Sequence, residues 1–145
     1  MLVHQILRSK PEAGVVTVTP TTPISEAATI LAERRIGTVL VSEDGKTPLG
    51  ILSERDIVRE LSRAGGGCLT RPVSDYMTRN LITCTAQSNV AEVLKKMTDG
   101  HFRHMPVLDE DGALIGLISL GDVVKAQLQK LEMEKDALEG MIMGH

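Results

Sequence analysis

A seven-residue phrase occurs twice in this chain, 66 residues apart. Gly50-Ile51-Leu52-Ser53-Glu54-Arg55-Asp56 returns as Gly116-Leu117-Ile118-Ser119-Leu120-Gly121-Asp122. Both copies read Gly-x-x-Ser-x-x-Asp, with two apolar residues before the serine and an apolar pair after the aspartate. An internal repeat constrains a fold more than composition does, because every copy must form the same unit. The same offset matches Thr17 with Thr83, Thr19 with Thr85, Glu26 with Glu92 and Val41 with Val107. It also matches the apolar pairs Val16 and Ile82, Ile24 and Val90, Leu31 and Met97, and Leu52 and Ile118. A one-residue shift aligns Asp44-Gly45 with Asp111-Gly112.

Within one half the hydrophobic period changes in a fixed order. Val15–Thr19 is short, β-branched and strand-like. Ile24, Ala27, Ala28 and Leu31 fall at helical spacing, and Gly37 is a stop signal for that helix. Thr38–Val41 reads as a second strand, Asp44-Gly45 as a hairpin turn, and Leu49–Leu52 as a third strand. Ser53 then caps a helix carrying Ile57, Val58 and Leu61. The second half predicts strands at Leu81–Thr83, His104–Leu108 and Leu114–Ile118, and helices over Val90–Thr98 and from Leu120. Each unit is therefore β-α-β-β-α, a mixed α/β (α+β) arrangement. Helices on one face of a three-stranded sheet leave the other face apolar and bare. Two units packed sheet to sheet about a pseudo-twofold axis would cover it and leave two equivalent grooves. The boundaries are 1–63 for the first repeat, 64–72 for a linker rich in glycine, 73–130 for the second repeat, and 131–145 for a helical extension and tail.

Composition excludes several classes. A net charge of −3 is too small and too mixed to be a nucleic-acid footprint. No apolar run approaches the roughly 18 residues of a membrane helix, and Met1–Ile6 lacks the form of a signal peptide. No membrane insertion is expected. Cys68 and Cys84 have neither metal-ligand nor redox spacing, which suits reduced thiols in the cytoplasm. His101-x-x-His104 lacks the further ligands a metal site needs. No nucleophile stands at a fixed spacing from a base, so no enzymatic activity is expected.

Ser-x-x-Asp at a helix start is open to two explanations. The structural one is a capping box with Asp in place of Glu or Gln, and it accounts for each copy by itself. The functional one uses the same geometry. A helix N-terminus favours phosphate, a serine hydroxyl donates to phosphate oxygen, a carboxylate one turn on accepts ribose hydroxyls, and glycine permits close backbone approach. Arg103 and His104, preceding the second strand of half two, could neutralise a phosphate. Gly37 and Thr38 stand at the matching place in half one, so the grooves should be unequal, with the stronger one expected at Ser119 and Asp122. The helix from Leu120 is longer than its counterpart, and its stripe of Val124, Leu128, Leu131 and Leu138 either packs on the chain itself or joins a second copy.

The doubled unit, its Gly-x-x-Ser-x-x-Asp endings and the phrase Phe102-Arg103-His104-Met105-Pro106-Val107 resemble tandem CBS domains, the cystathionine-β-synthase repeat pair or Bateman module, over about residues 3 to 130. The resemblance implies a regulatory module for adenosyl ligands such as AMP, ADP, ATP or S-adenosylmethionine, with no cofactor required for chemistry. It implies Ser53 with Asp56 for one groove and Ser119 with Asp122 for the other. It places adenine near Thr38-Val39 and Met105-Pro106, and adds Thr22 and Ser88 before the first helix of each half. A disc-like homodimer is expected, as is a regulated enzyme or transporter on another chain, since most such modules are fused to their target and this chain shows no second domain. The alternative is a structural dimeric adaptor whose clefts are non-functional.

Overall fold

A computed structural model describes residues 1–10 and 15–143. Two three-stranded sheets form its centre, one per half. In the first, β1 (Thr17–Val18) runs parallel to β2 (Thr38–Val41), which pairs antiparallel with β3 (Gly50–Ser53). In the second, β4 (Cys84–Thr85), β5 (His104–Leu108) and β6 (Leu114–Ser119) repeat that order. The helices are α1 (Val3–Ser9), α2 (Ile24–Arg34), α3 (Glu54–Ala64), α4 (Val90–Gly100) and α5 (Leu120–Ile142). Among the described residues no helix is long and apolar enough to cross a membrane.

The central strands are buried on both faces. Side chains alternate along a strand, and Val39 and Val41 join the first-half core with Ile24, Leu31 and Leu52. Thr38 and Leu40 occupy the opposite face of β2 and are also buried. Thr38 Oγ1 is 3.1 Å from Nδ1 of His104 in the other half, so this face is where the two halves meet. The hairpin tips add a second link, from the Leu114 amide to the Lys46 carbonyl at 2.7 Å.

Several boundaries differ from the sequence reading. The first strand of each half is only two residues long, and in the second half it lies past the expected Leu81–Thr83, because turns begin at once: the Thr19 amide donates to Thr22 Oγ1 and the Thr85 amide to Ser88 Oγ. Gly37 is not the helix stop. Arg35 and His101, again 66 apart, take the left-handed conformation at φ 55° and 56° and end α2 and α4. Residues 64–72 are not a free linker. Gly65–Thr70 forms a 3₁₀ turn with Cys68 buried, and Cys68 and Cys84 are both unpaired.

The largest departure concerns the segment ahead of each half, which packs on the opposite half. Val3 and Ile6 of α1 lie in the second-half core, whereas Val73 and Met77 lie in the first-half core. The hydrogen bonds repeat in detail. The Val3 amide donates to Ser88 O and the Val73 amide to Thr22 O; the Val90 amide donates to Met1 O and the Ile24 amide to Arg71 O. The offset within these flanks is 70, from Val3 to Val73, not 66. The expected boundaries at 63 and 73 therefore separate the halves along the chain but not in space.

This crossing explains the glycine of the repeated phrase. A Cβ on Gly50 would stand 2.6 Å from Met77 Sδ and 3.0 Å from the Thr78 carbonyl, and one on Gly116 would stand 2.6 Å from Leu7 Cδ2. The close approach expected at these glycines is made by the crossing segments, not reserved for a ligand.

Helix α5 continues well beyond its counterpart. Leu128, Leu131 and Leu138 are more than half exposed and Val124 is partly so, which removes the reading in which this stripe packs on its own body. Gly144 and His145, at the end of the tail that the sequence leaves either mobile or in an interface, fall outside the described residues.

Candidate functional site

Each Ser-x-x-Asp ends an edge strand and starts a helix, and both copies form a complete capping box. Ser53 Oγ accepts the Asp56 amide at 3.3 Å while Asp56 Oδ2 accepts the Ser53 amide at 2.8 Å. Ser119 and Asp122 do the same at 3.1 Å and 2.9 Å. The structural explanation thus holds for both copies. It leaves room for the functional one, because the corners open onto cavities.

Two grooves of about 380 Å³ each lie where the halves meet. The groove at the first corner is walled by Ile51, Ser53 and Asp56 of half one and by His101, Phe102, Arg103 and His104 of half two. The groove at the second corner is walled by Leu117 and Ser119 of half two and by Val16, Ile36, Gly37 and Thr38 of half one. Each groove therefore combines the helix start of one half with the loop before the second strand of the other. Thr38 and His104 touch both grooves, at the pseudo-twofold axis.

This pairing corrects the expected inequality. Arg103 lines the groove that holds Ser53 and Asp56, although its own carbonyl accepts the Leu120 amide at the start of α5 at 2.7 Å. The first groove gathers Arg55, Arg59, Arg103 and His101, against Glu54 and Asp56. Among the described residues no arginine lines the second, whose charged wall is Lys10 beside Leu7, Val16, Ile36, Ile115 and Leu117. The richer phosphate environment is at the first corner.

The sequence reading also placed residues that the strands carry away. Val39, Met105 and Pro106 are buried and absent from both groove walls; Val39 and Met105 turn toward the helices of their own halves, by the alternation of β2 and β5. Thr22 and Ser88 close turns with Thr19 and Thr85, also away from the walls. Lys10, Arg59 and Thr78 line the grooves as well, outside the repeated phrase and the strand starts. Arg59 was legible as the residue one turn after Asp56. Lys10 was not, because the flank repeats at another offset.

Charge pairing differs between corners. Asp56 is nearly buried and paired with Arg59, whose side chain is largely exposed. Asp122 pairs with Lys10 at 3.0 Å. Burial by itself would raise the Asp122 carboxyl, but the Ser119 amide and the Lys10 ammonium outweigh it and hold it below the usual carboxylate value. Burial likewise lowers the His104 imidazole, with Lys10 and Arg103 adding to the effect and Asp122 and Glu54 opposing it. The Cys84 thiol is pushed up to about 11 by burial, which leaves it protonated and inert.

A depressed histidine has a defined stability signature. The unfolded chain protonates His104 near pH 6.5 while the folded chain resists, so the contribution is whole above that pH and is lost as pH falls toward the folded value. Stability is expected to drop on acidification from pH 7 to 5, by at most about 1.4 kcal/mol per pH unit from this one group. His104→Asn, which keeps an acceptor for Thr38, should flatten that part of the profile. Denaturant melts across the interval check it, and equal slopes in both proteins would refute the assignment.

Comparison with known proteins adds relatives to this geometry. The family model described as CBS domain matches residues 4–63 and 73–129. An uncharacterized 17.7 kDa protein of Acidianus ambivalens is 33% identical over 132 residues, which is 91% of this chain and 76% of that protein. A mitochondrial CBS domain-containing protein of Arabidopsis thaliana is 32% identical over 125 residues, covering 83% of this chain and 60% of that protein. The crystal structure of a CBS-domain containing protein from Agrobacterium tumefaciens superposes with a TM-score of 0.81 at 42% identity, over 88% of this chain and 99% of that one. A CBS domain protein from Pyrobaculum aerophilum, solved in complex with AMP, superposes with a TM-score of 0.74 at 27% identity, over 84% and 89%.

Proposed function

The chain belongs to the CBS domain family, with two copies of the domain, and from that premise we propose that it is a non-catalytic regulatory module that binds an adenine nucleotide in the grooves between its repeats. The observation that carries the reading is the first groove. It sets a ribose-type carboxylate, Asp56, and a serine at a helix N-terminus across from the Arg103 guanidinium in one cavity of suitable size. The AMP complex of the Pyrobaculum protein supports the ligand class. Arg59 holds Asp56 in the free protein, but an exposed arginine is released at little cost, so ribose hydroxyls can take its place. Binding signals through the axis: Thr38 and His104 touch both grooves, and a ligand that binds one arrangement of the halves better than another shifts their packing.

AMP, ADP or ATP in excess is expected to raise the melting temperature, since a ligand at 100 times its Kd adds roughly 2.7 kcal/mol of stability. Dye-based melting suits a chain with no Trp. No shift with any adenosyl ligand would count against binding.

A second reading is favoured by α5. Its exposed Leu128, Leu131 and Leu138, with Val58 on α3 more than half exposed, suit contact with another molecule. We take the occupant to be a second copy of this chain, giving a homodimer that acts on an enzyme or transporter carried separately. A purely structural adaptor would keep that assembly with empty grooves, so native mass spectrometry separates the two: retained nucleotide supports the sensor.

A further inference from the structure

One ion pair at the edge of the second groove has no duplicate at the first: Lys10 lines the groove, and Asp122 lines the adjoining cavity against α5. Lys10, the residue after α1, donates from Nζ to the Leu117 carbonyl at 2.8 Å and to Asp122 Oδ2 at 3.0 Å. Both side chains are about two-thirds buried, with 30% and 27% exposure. The counterpart of Asp122 is Asp56, which takes its cation from Arg59 of its own helix. The counterpart of Lys10 at the flank offset of 70 is Asn80, which is uncharged. The crossing of α1 thus delivers a cation to one corner only.

Lys10 is also the only lysine or arginine among the described residues lining the second groove. It also borders the smaller cavity against α5 that Asp122 lines, so Lys10 is a wall shared by both. Of the remaining walls, Val15, Val16, Ile36 and Ile115 offer a ligand apolar contact, and Thr38, His104 and Ser119 are the polar ones.

We infer that Lys10 sets the ligand selectivity of the second groove, admitting nucleosides that carry an anionic group and disfavouring neutral ones. The inference rests on the nucleotide-binding reading. Ribose hydroxyls that approach Asp122 meet a carboxylate whose Oδ2 already accepts from Lys10 and the Ser119 amide, so they compete with the ammonium for it. A neutral nucleoside then compensates the carboxylate and leaves a part-buried ammonium without its partner, which is costly. A 5′-phosphate on the same ligand gives Lys10 a new partner, so one charge pair replaces another. The flexible four-carbon stem of lysine permits that swing.

The test is titration of isotope-labelled wild type, Lys10→Met and Lys10→Arg with AMP and with adenosine. The Gly116 and Ser119 amides report the second groove, and the Ile51 and Arg55 amides the first. Wild type is expected to prefer AMP at the second groove. Lys10→Met should cut that preference by roughly tenfold or more, the worth of one charge-assisted bond. Lys10→Arg should keep it, and the first-groove preference should be the same in all three, which also shows that the variants are folded. A Lys10→Met protein whose AMP-to-adenosine ratio is unchanged at the second groove overturns the inference and leaves the proposed function standing. Silence of the second-groove amides in wild type, with the first groove responding, overturns it too. Silence of both grooves overturns the nucleotide reading itself.

Discussion

Leu40→Ala is expected to destabilise the protein by about 2–5 kcal/mol. Leu40 is fully buried, yet it belongs to neither of the two helix-facing cores. It lies two residues from Thr38 on the same face of β2, and Thr38 bonds His104 across the axis. Truncation there opens a cavity between the halves, where two sheets rather than one soft helix surface would have to move to fill it. Little relaxation puts the cost toward the upper part of the range. Denaturant unfolding measures it. A loss under about 1 kcal/mol would mean that Leu40 does not sit in a packed seam and that the sheet-to-sheet arrangement is wrong.

That seam is also where the sequence was most legible. Thr38–Val41 and His104–Leu108 occupy the strands that the strand reading of half one and its repeat in half two predict, with identical limits. The doubled phrase marks two strand-to-helix corners, because a Gly-x-x-Ser-x-x-Asp run carries its own turn from period two to helical spacing and its own cap. What the sequence hid is the exchange of flanking segments. The contacts Val3 to Ser88 and Val73 to Thr22 are long in sequence, their offset is 70 against 66 elsewhere, and α1 is too short to show a periodic signature. Two functional consequences went with it. Lys10 could not be connected to Asp122 without knowing that α1 crosses over. Arg103 stands nearer along the chain to Ser119 and Asp122, whereas the groove it lines holds Ser53 and Asp56 of the opposite half. Local pattern identified the parts, and long-range packing decided which parts share a cavity.

The reassignment of Arg103 leads to the second large effect. Arg103→Ala is expected to weaken AMP binding at the first groove by one to two orders of magnitude, the usual worth of a hydrogen bond to a charged group. The guanidinium is the cation that the loop of the other half contributes to the Ser53–Asp56 corner, and its counterpart in the second groove, Gly37, contributes none. Arg103 is exposed, so its removal should cost little stability, and the loss of affinity would not reflect unfolding. Adenosine supplies the control. It lacks the phosphate that Arg103 would meet, so its affinity at the same groove should change by no more than about threefold. Calorimetric titration of both ligands, with groove assignment by the Ile51 and Arg55 amides, separates the contributions. If Arg103→Ala weakened AMP and adenosine equally, the arginine would be shaping the wall and not reading the phosphate. If it affected instead the amides of Gly116 and Ser119, Arg103 would belong to the second corner, and the crossed pairing of loops and helix starts would have to be abandoned.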